Sequence, residues 1–246
     1  MNLKITWKYL VALFALTLIL MELHEQVHIN TGALICGGYG ERDFNGWATI
    51  NNCAMPAWSV LATVTGPLFS YALVWFGVWL LAKAKSENWK AIGFSLIFAN
   101  VPFARIFTAV TGGGDETTVL RNLFKGEWSA AAIKYIGLAI VLACAVPPLY
   151  VALKSMKNRF RWLYLIGFSV VPLFVLAGYS LVFLNGLLAQ GYLSSVLFLG
   201  TPTLIIVHTL LMVVLLAFTR KWLFTINRNA PDNAPSEPAA LVFHPN

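Results

Sequence analysis

Leu18-Ile19-Leu20-Met21-Glu22-Leu23-His24-Glu25-Gln26-Val27-His28 is an apolar run that carries two histidines four residues apart, with a glutamate directly after the first. On a helix, residues i and i+4 share a face, so His24 and His28 can grip one metal ion while Glu25 stands beside them. His-Glu-x-x-His is a zinc-binding order, and a chance match in a chain of this length is expected on the order of one time in a hundred. The competing reading is that His, Glu and Gln merely mark the outer end of an apolar span. What surrounds the stretch decides between them.

The surroundings are a membrane. The chain has 246 residues, 59% hydrophobic and only 11% charged, with a mean hydropathy of +0.72, which is too apolar for a soluble domain. Its net charge of +7 falls in short clusters between apolar runs, so the pattern excludes nucleic acid as a partner and points to the lipid bilayer. Lys4 and Lys8 ahead of an apolar segment also begin a secretory signal, and Thr31 and Ala33 are small enough for a cleavage site. The polar cluster from His24 to Asn30 is not signal-like, so an uncleaved first span is expected.

A spanning helix needs about 20 mostly apolar residues. Runs at 9–31, 57–82, 90–111, 131–153, 162–186 and 195–218 qualify, which predicts an all-α polytopic membrane protein of about six transmembrane helices. The expected organisation is a membrane core over 1–125, a further three-span region over 126–218, and a Pro-, Asn- and Ala-rich disordered cytoplasmic tail over 219–246. Orientation follows from the cations. With the N-terminus inside, the inner segments hold Lys4, Lys8, Lys83, Lys85, Lys90, Lys154, Lys157, Arg159, Arg161, Arg220, Lys221 and Arg228, against Arg42, Arg121 and Lys125 outside. Both termini are therefore expected in the cytoplasm, and the expected location is a bacterial inner (plasma) membrane.

Between the first two spans, on the outer side, Cys36-Gly37-Gly38-Tyr39-Gly40 through Trp47 and on to Cys53 reads as an irregular or hairpin segment at the interface. Cys36 and Cys53 would both face an oxidising compartment. A disulfide is permitted there, with two free thiols as the alternative.

If the first helix starts near Tyr9, His24 lies about 22 Å along it, in the outer part of a hydrocarbon layer about 30 Å thick. A catalytic zinc takes three protein ligands and keeps an open position, so one ligand is missing. Glu22 lies about 200° around the helix from His24 and is poorly placed. His208 and Cys144 lie about 20 Å deep, well below the histidine pair. Asp115 follows Gly112-Gly113-Gly114 on the side of the membrane where the histidines are expected, and glycines let a turn bring a carboxylate close to another element. Asp115 is the expected third ligand and Glu116 the fallback. Asn100 and Arg105 are polar groups in the third span; they either bind substrate backbone or a developing oxyanion, or serve structure, with Arg105 paired to a carboxylate.

With these segments in hand, the sequence resembles the site-2 protease family of intramembrane zinc metalloproteases. His24-Glu25-Gln26-Val27-His28 matches the family's first motif. Thr65-Gly66-Pro67-Leu68-Phe69-Ser70-Tyr71-Ala72-Leu73 looks like its Gly-Pro motif, and Asn100-Val101-Pro102 with Gly113-Gly114-Asp115 looks like its third. The resemblance covers roughly residues 10 to 120. It implies a three-helix metalloprotease-like core, one Zn2+ per chain on His24, His28 and Asp115, Glu25 as general base, and a membrane protein or peptide as substrate. Ser70 stands where the family usually has Asn, the interval from Asn100 to Asp115 is longer than usual, and the charge pattern puts the site toward the outside instead of the cytosol. The rival class is a non-enzymatic transporter or a regulatory scaffold retaining a metal site. A transporter often carries an internal repeat, and the last three spans do not repeat the first three.

Overall fold

The computed structural model describes residues 1–227, and it is mostly helical. Six helices are long and apolar enough to cross a membrane: Trp7–Cys36, Pro56–Lys83, Glu87–Thr111, Ala130–Ser155, Arg161–Ala189 and Thr203–Ile226. Their outward surface is apolar, with Phe174, Val182 and Phe218 each more than 70% exposed. A surface of that kind is at home in hydrocarbon.

Helix α1 (Trp7–Cys36) starts where the Thr6 side chain accepts from the Tyr9 N–H, and it stops at Gly37, whose φ of 81° is the left-handed cap conformation. It runs five residues past the expected end at 31. The polar residues do not stop it because they bond along the helix: Gln26 Nε2 donates to Glu22 Oε1, and Asn30 Nδ2 donates to the Gln26 carbonyl. The chain then forms an antiparallel hairpin, β1 (Tyr39–Arg42) with β2 (Trp47–Thr49), so the interfacial segment is a hairpin. A Cys36–Cys53 disulfide closes its base.

Helix α2 (Val60–Lys83) packs against α3 (Glu87–Ala99) so closely that a Cβ at Gly77 or Gly93 would meet the other's carbonyl oxygen, 2.6–2.7 Å away. The third span is broken. Pro102 lacks an N–H and crowds the residue before it, and Val101 adopts φ 46°, a left-handed conformation that is costly for a β-branched residue. After the break, α4 (Pro102–Thr111) runs to Gly112 and Gly114, both at positive φ, which turn the chain into α5 (Asp115–Leu123).

Helix α6 (Ala130–Ser155) follows. The fifth span is α7 (Arg161–Leu176), a π-helical stretch (Ala177–Leu184) and α8 (Asn185–Ala189). The sixth differs from expectation at both ends. Residues 195–202 do not begin the helix: they form a second short hairpin, β3 (Val196–Phe198) with β4 (Thr201–Pro202), turning at Gly200, and α9 (Thr203–Thr219) starts only after Pro202. Proline there accepts the first position ahead of a helix but cannot continue one upstream. The expectation of disorder from 219 is corrected as far as Asn227. Arg220–Ile226 is a 3-10 turn whose Leu223 and Ile226 are buried, and the Lys4 N–H donates to the Ile226 carbonyl. Composition from Ala230 onward set the expectation, whereas the apolar side chains of 222–226 have a core to join. Arg228 and the rest of the tail lie outside the described residues.

That core centres on Tyr9, Phe94, Phe98, Met156, Phe168 and Ile226, all buried. It joins the first three spans to the last three.

Candidate metal centre

His24 and His28 lie one helical turn apart on α1 with their Nε2 atoms 3.0 Å apart. Asp115 Oδ2, from the first residue of α5, lies 3.3 Å from His24 Nε2 and 3.6 Å from His28 Nε2. These three groups form a cluster that can hold a metal ion. The two helices reach the same point because the Asn100-to-Gly114 segment breaks and turns twice, which brings the start of α5 against the middle of α1.

The far nitrogens orient the rings. His28 Nδ1 lies 2.6 Å from the Ala62 carbonyl, an acceptor only, so Nδ1–H donates and Nε2 carries the lone pair. His24 Nδ1 lies 3.0 Å from Ser70 Oγ. A partner on the far nitrogen that fixes tautomer and ring direction is the usual support of a metal-binding histidine. Ser70 thus fills the position where the resembled family has Asn. A Cβ at Gly66 would run into the His28 ring, so the glycine ahead of Pro67 is demanded by the ring behind it. On its other face His28 is stacked by Trp47 of β2, centroids 5.1 Å apart at 17°.

Arg105 lies beside the cluster, 3.5 Å from Asp115 Oδ2 and 3.4 Å from Glu116 Oε1. Its Nη2 is 3.0 Å from His24 Nδ1 and 3.3 Å from Nε2. The lone-pair directions of the two ring nitrogens diverge, so one donor cannot align with both; the guanidinium rests against the ring and braces the carboxylates. Glu116 turns away from the histidines and accepts from the Tyr71 hydroxyl at 2.6 Å.

Glu25 is 8% exposed, and its Oε2 is buried without a hydrogen-bond partner. It borders a cavity of about 400 Å³ together with His24, Ser70, Asn100, Asp115 and Leu176. One amide hydrogen of Asn100 is committed to the Leu96 carbonyl at 2.8 Å. Glu22 points elsewhere, into a bidentate pair with Arg42 of β1 at 2.8 and 3.0 Å, which Gln26 and Thr201 complete. That network docks the hairpin and leaves Glu22 outside the cluster. His208 is a buried span residue bonded to the Tyr179 hydroxyl at 3.2 Å, and Cys144 is a free thiol on α6.

Trp47, Tyr71, the Ala62 carbonyl and the Glu22–Arg42 pair escape a reading of the sequence. Arg42 carried a signal, as one of only three cations in the outer loops. A backbone carbonyl carries none. Comparison with family models, with curated proteins and with solved structures finds no match to this chain.

Proposed function

We propose that this chain is an intramembrane zinc metallopeptidase that hydrolyses peptide bonds of membrane-associated protein substrates. The observation that carries the reading is the ligand triangle. Tetrahedral zinc with bonds of about 2.0–2.1 Å holds its ligand atoms roughly 3.3 Å apart, and the three separations here are 3.0, 3.3 and 3.6 Å. Two imidazoles and one carboxylate leave the open position that catalytic zinc needs. The unpaired Glu25 oxygen beside them is the second support.

His24, His28 and Asp115 would hold the zinc ion, which when bound would supply Lewis acidity toward the scissile carbonyl and the attacking water. Glu25 takes the proton from that water and passes it to the leaving amine nitrogen. Ser70 and the Ala62 carbonyl hold the two imidazoles in register. Arg105 positions Asp115, so its role is that of a carboxylate partner and not of an oxyanion donor. The remaining amide atoms of Asn100 border the cavity, where they can bond a substrate strand whose own helix has unwound. Apolar walls from Leu173, Leu176 and Leu181 suit a transmembrane substrate. The lysine and arginine pattern supports cytoplasmic termini and a site in the outer half of a bacterial inner membrane.

The test is Glu25→Gln in purified protein given a model transmembrane substrate. The variant should keep about one zinc per chain and lose cleavage by on the order of a hundredfold or more; undiminished cleavage would overturn the assignment. Ion or solute flux in liposomes that survives the same substitution would favour a transporter.

A further inference from the structure

A second cavity of about 400 Å³ lies on the far side of α5 from the ligands. Arg121 from the last turn of α5, Lys125 from the connecting loop and Lys134 from the first turns of α6 line it, with Trp128 beside them. Arg121 and Lys134 converge on Gly112: Arg121 Nη2 donates to its carbonyl at 3.2 Å, and the Lys134 stem lies 3.6 Å from where its Cβ would be. Among the described residues no carboxylate lines this cavity, and none of the three cations forms an ion pair. Thr117, 1% exposed, also lines it, with its Oγ1 turned toward Gly137 of α6.

The charge pattern makes the concentration unusual. Only Arg42, Arg121 and Lys125 occur in the expected outer loops. Arg42 is neutralised by Glu22, so the two remaining outer cations, joined by a lysine from within an apolar span, meet in one pocket. Like charges gathered without a counter-charge repel, and a bound anion relieves this.

We propose that this cavity binds the phosphodiester headgroup of an anionic phospholipid at the membrane interface. Depth and surroundings favour a lipid over a soluble phosphate. Lys134 lies about 6 Å along α6 from its first residue, at headgroup level. Trp128, held against Phe124 with centroids 3.7 Å apart and part exposed, is of the residue type enriched at headgroup level. The following turns of α6 expose Tyr135, Ile136 and Ile140, an apolar surface along which acyl chains can lie.

The test uses the full chain in phosphatidylcholine vesicles containing a trace of phosphatidylglycerol that carries its photoactivatable group on the headgroup. Crosslinking should fall within residues 112–134 and exceed that of a matched phosphatidylcholine probe. Lys134→Gln should weaken the labelling about fivefold, and Arg121→Gln with Lys125→Gln should weaken it further, because each cation near an anionic lipid surface contributes at about that level. Lys83→Gln with Lys85→Gln, at the other end of the bundle, should leave it unchanged. Circular dichroism and retained zinc show that a variant is folded, and the single Lys134→Gln variant serves if the triple one is not. Equal labelling by the two probes, labelling outside 112–134, or insensitivity to Lys134→Gln overturns the proposal. Displacement of the lipid probe by submillimolar glycerol phosphate would identify a soluble anion as the occupant and overturn the lipid assignment.

Discussion

His24 and His28 stand on one uninterrupted helix of 30 residues, whereas Asp115 stands at the start of a nine-residue helix entered through three consecutive glycines. The first pair owes its spacing to the helical period. Each of its rings is held from behind, by Ser70 and by the Ala62 carbonyl, and the His28 ring is also pressed between Gly66 and Trp47. Asp115 reaches the same point only because Val101 takes a left-handed conformation and two glycines turn the chain back. A site assembled in this way has a stiff half and an adjustable half. Helical geometry specifies the stiff half. The adjustable half depends on a break whose strain is on the order of 1–3 kcal/mol and has to be offset by packing elsewhere.

Displacing a ring of the stiff half should have the largest effect, and loosening the support behind one the smallest. Gly66→Ala drives a methyl group into the His28 ring, so zinc should be lost from the purified protein, with elemental analysis giving well under one ion per chain; full occupancy would show that α1 and α2 can separate. Asp115→Ala leaves two ligands in place and should weaken zinc without abolishing uptake, on the order of a hundredfold by competition against a chromophoric chelator. Unchanged affinity would remove Asp115 from the ligand set and return Glu116 to consideration. Ser70→Ala removes only the support behind His24, and should cost about 10- to 100-fold in zinc affinity. Ser70→Asn should keep most of it, since an amide oxygen can accept the same hydrogen bond.

The same division separates what could be read in the sequence from what could not. Periodicity and hydropathy are local, so all six spans and the His24–His28 face were visible, and depth along the helices was enough to exclude His208 and prefer Asp115. The hairpin of 196–202 was not visible, because Val196, Leu197 and Phe198 are as apolar as the helix that follows and only Pro202 marks the boundary. Nor was the folded segment 220–226, whose burial depends on a groove made by α1 and α3. Arg105 was left between two roles, and the choice rested on where Asp115 and Glu116 would lie, which is a matter of the turn and not of the span.

The pairing of residues 3–6 with residues 225–227 has a consequence in time. The base of α1 is closed by residues synthesised long after Asp115: Leu3 bridges to Asn227, Lys4 donates to Ile226, and Thr6 meets Thr225 at 3.1 Å. His24, His28 and Asp115 are all synthesised before those closing residues. A nascent protein therefore carries all three of these side chains well before the helix that bears two of them is anchored at its base.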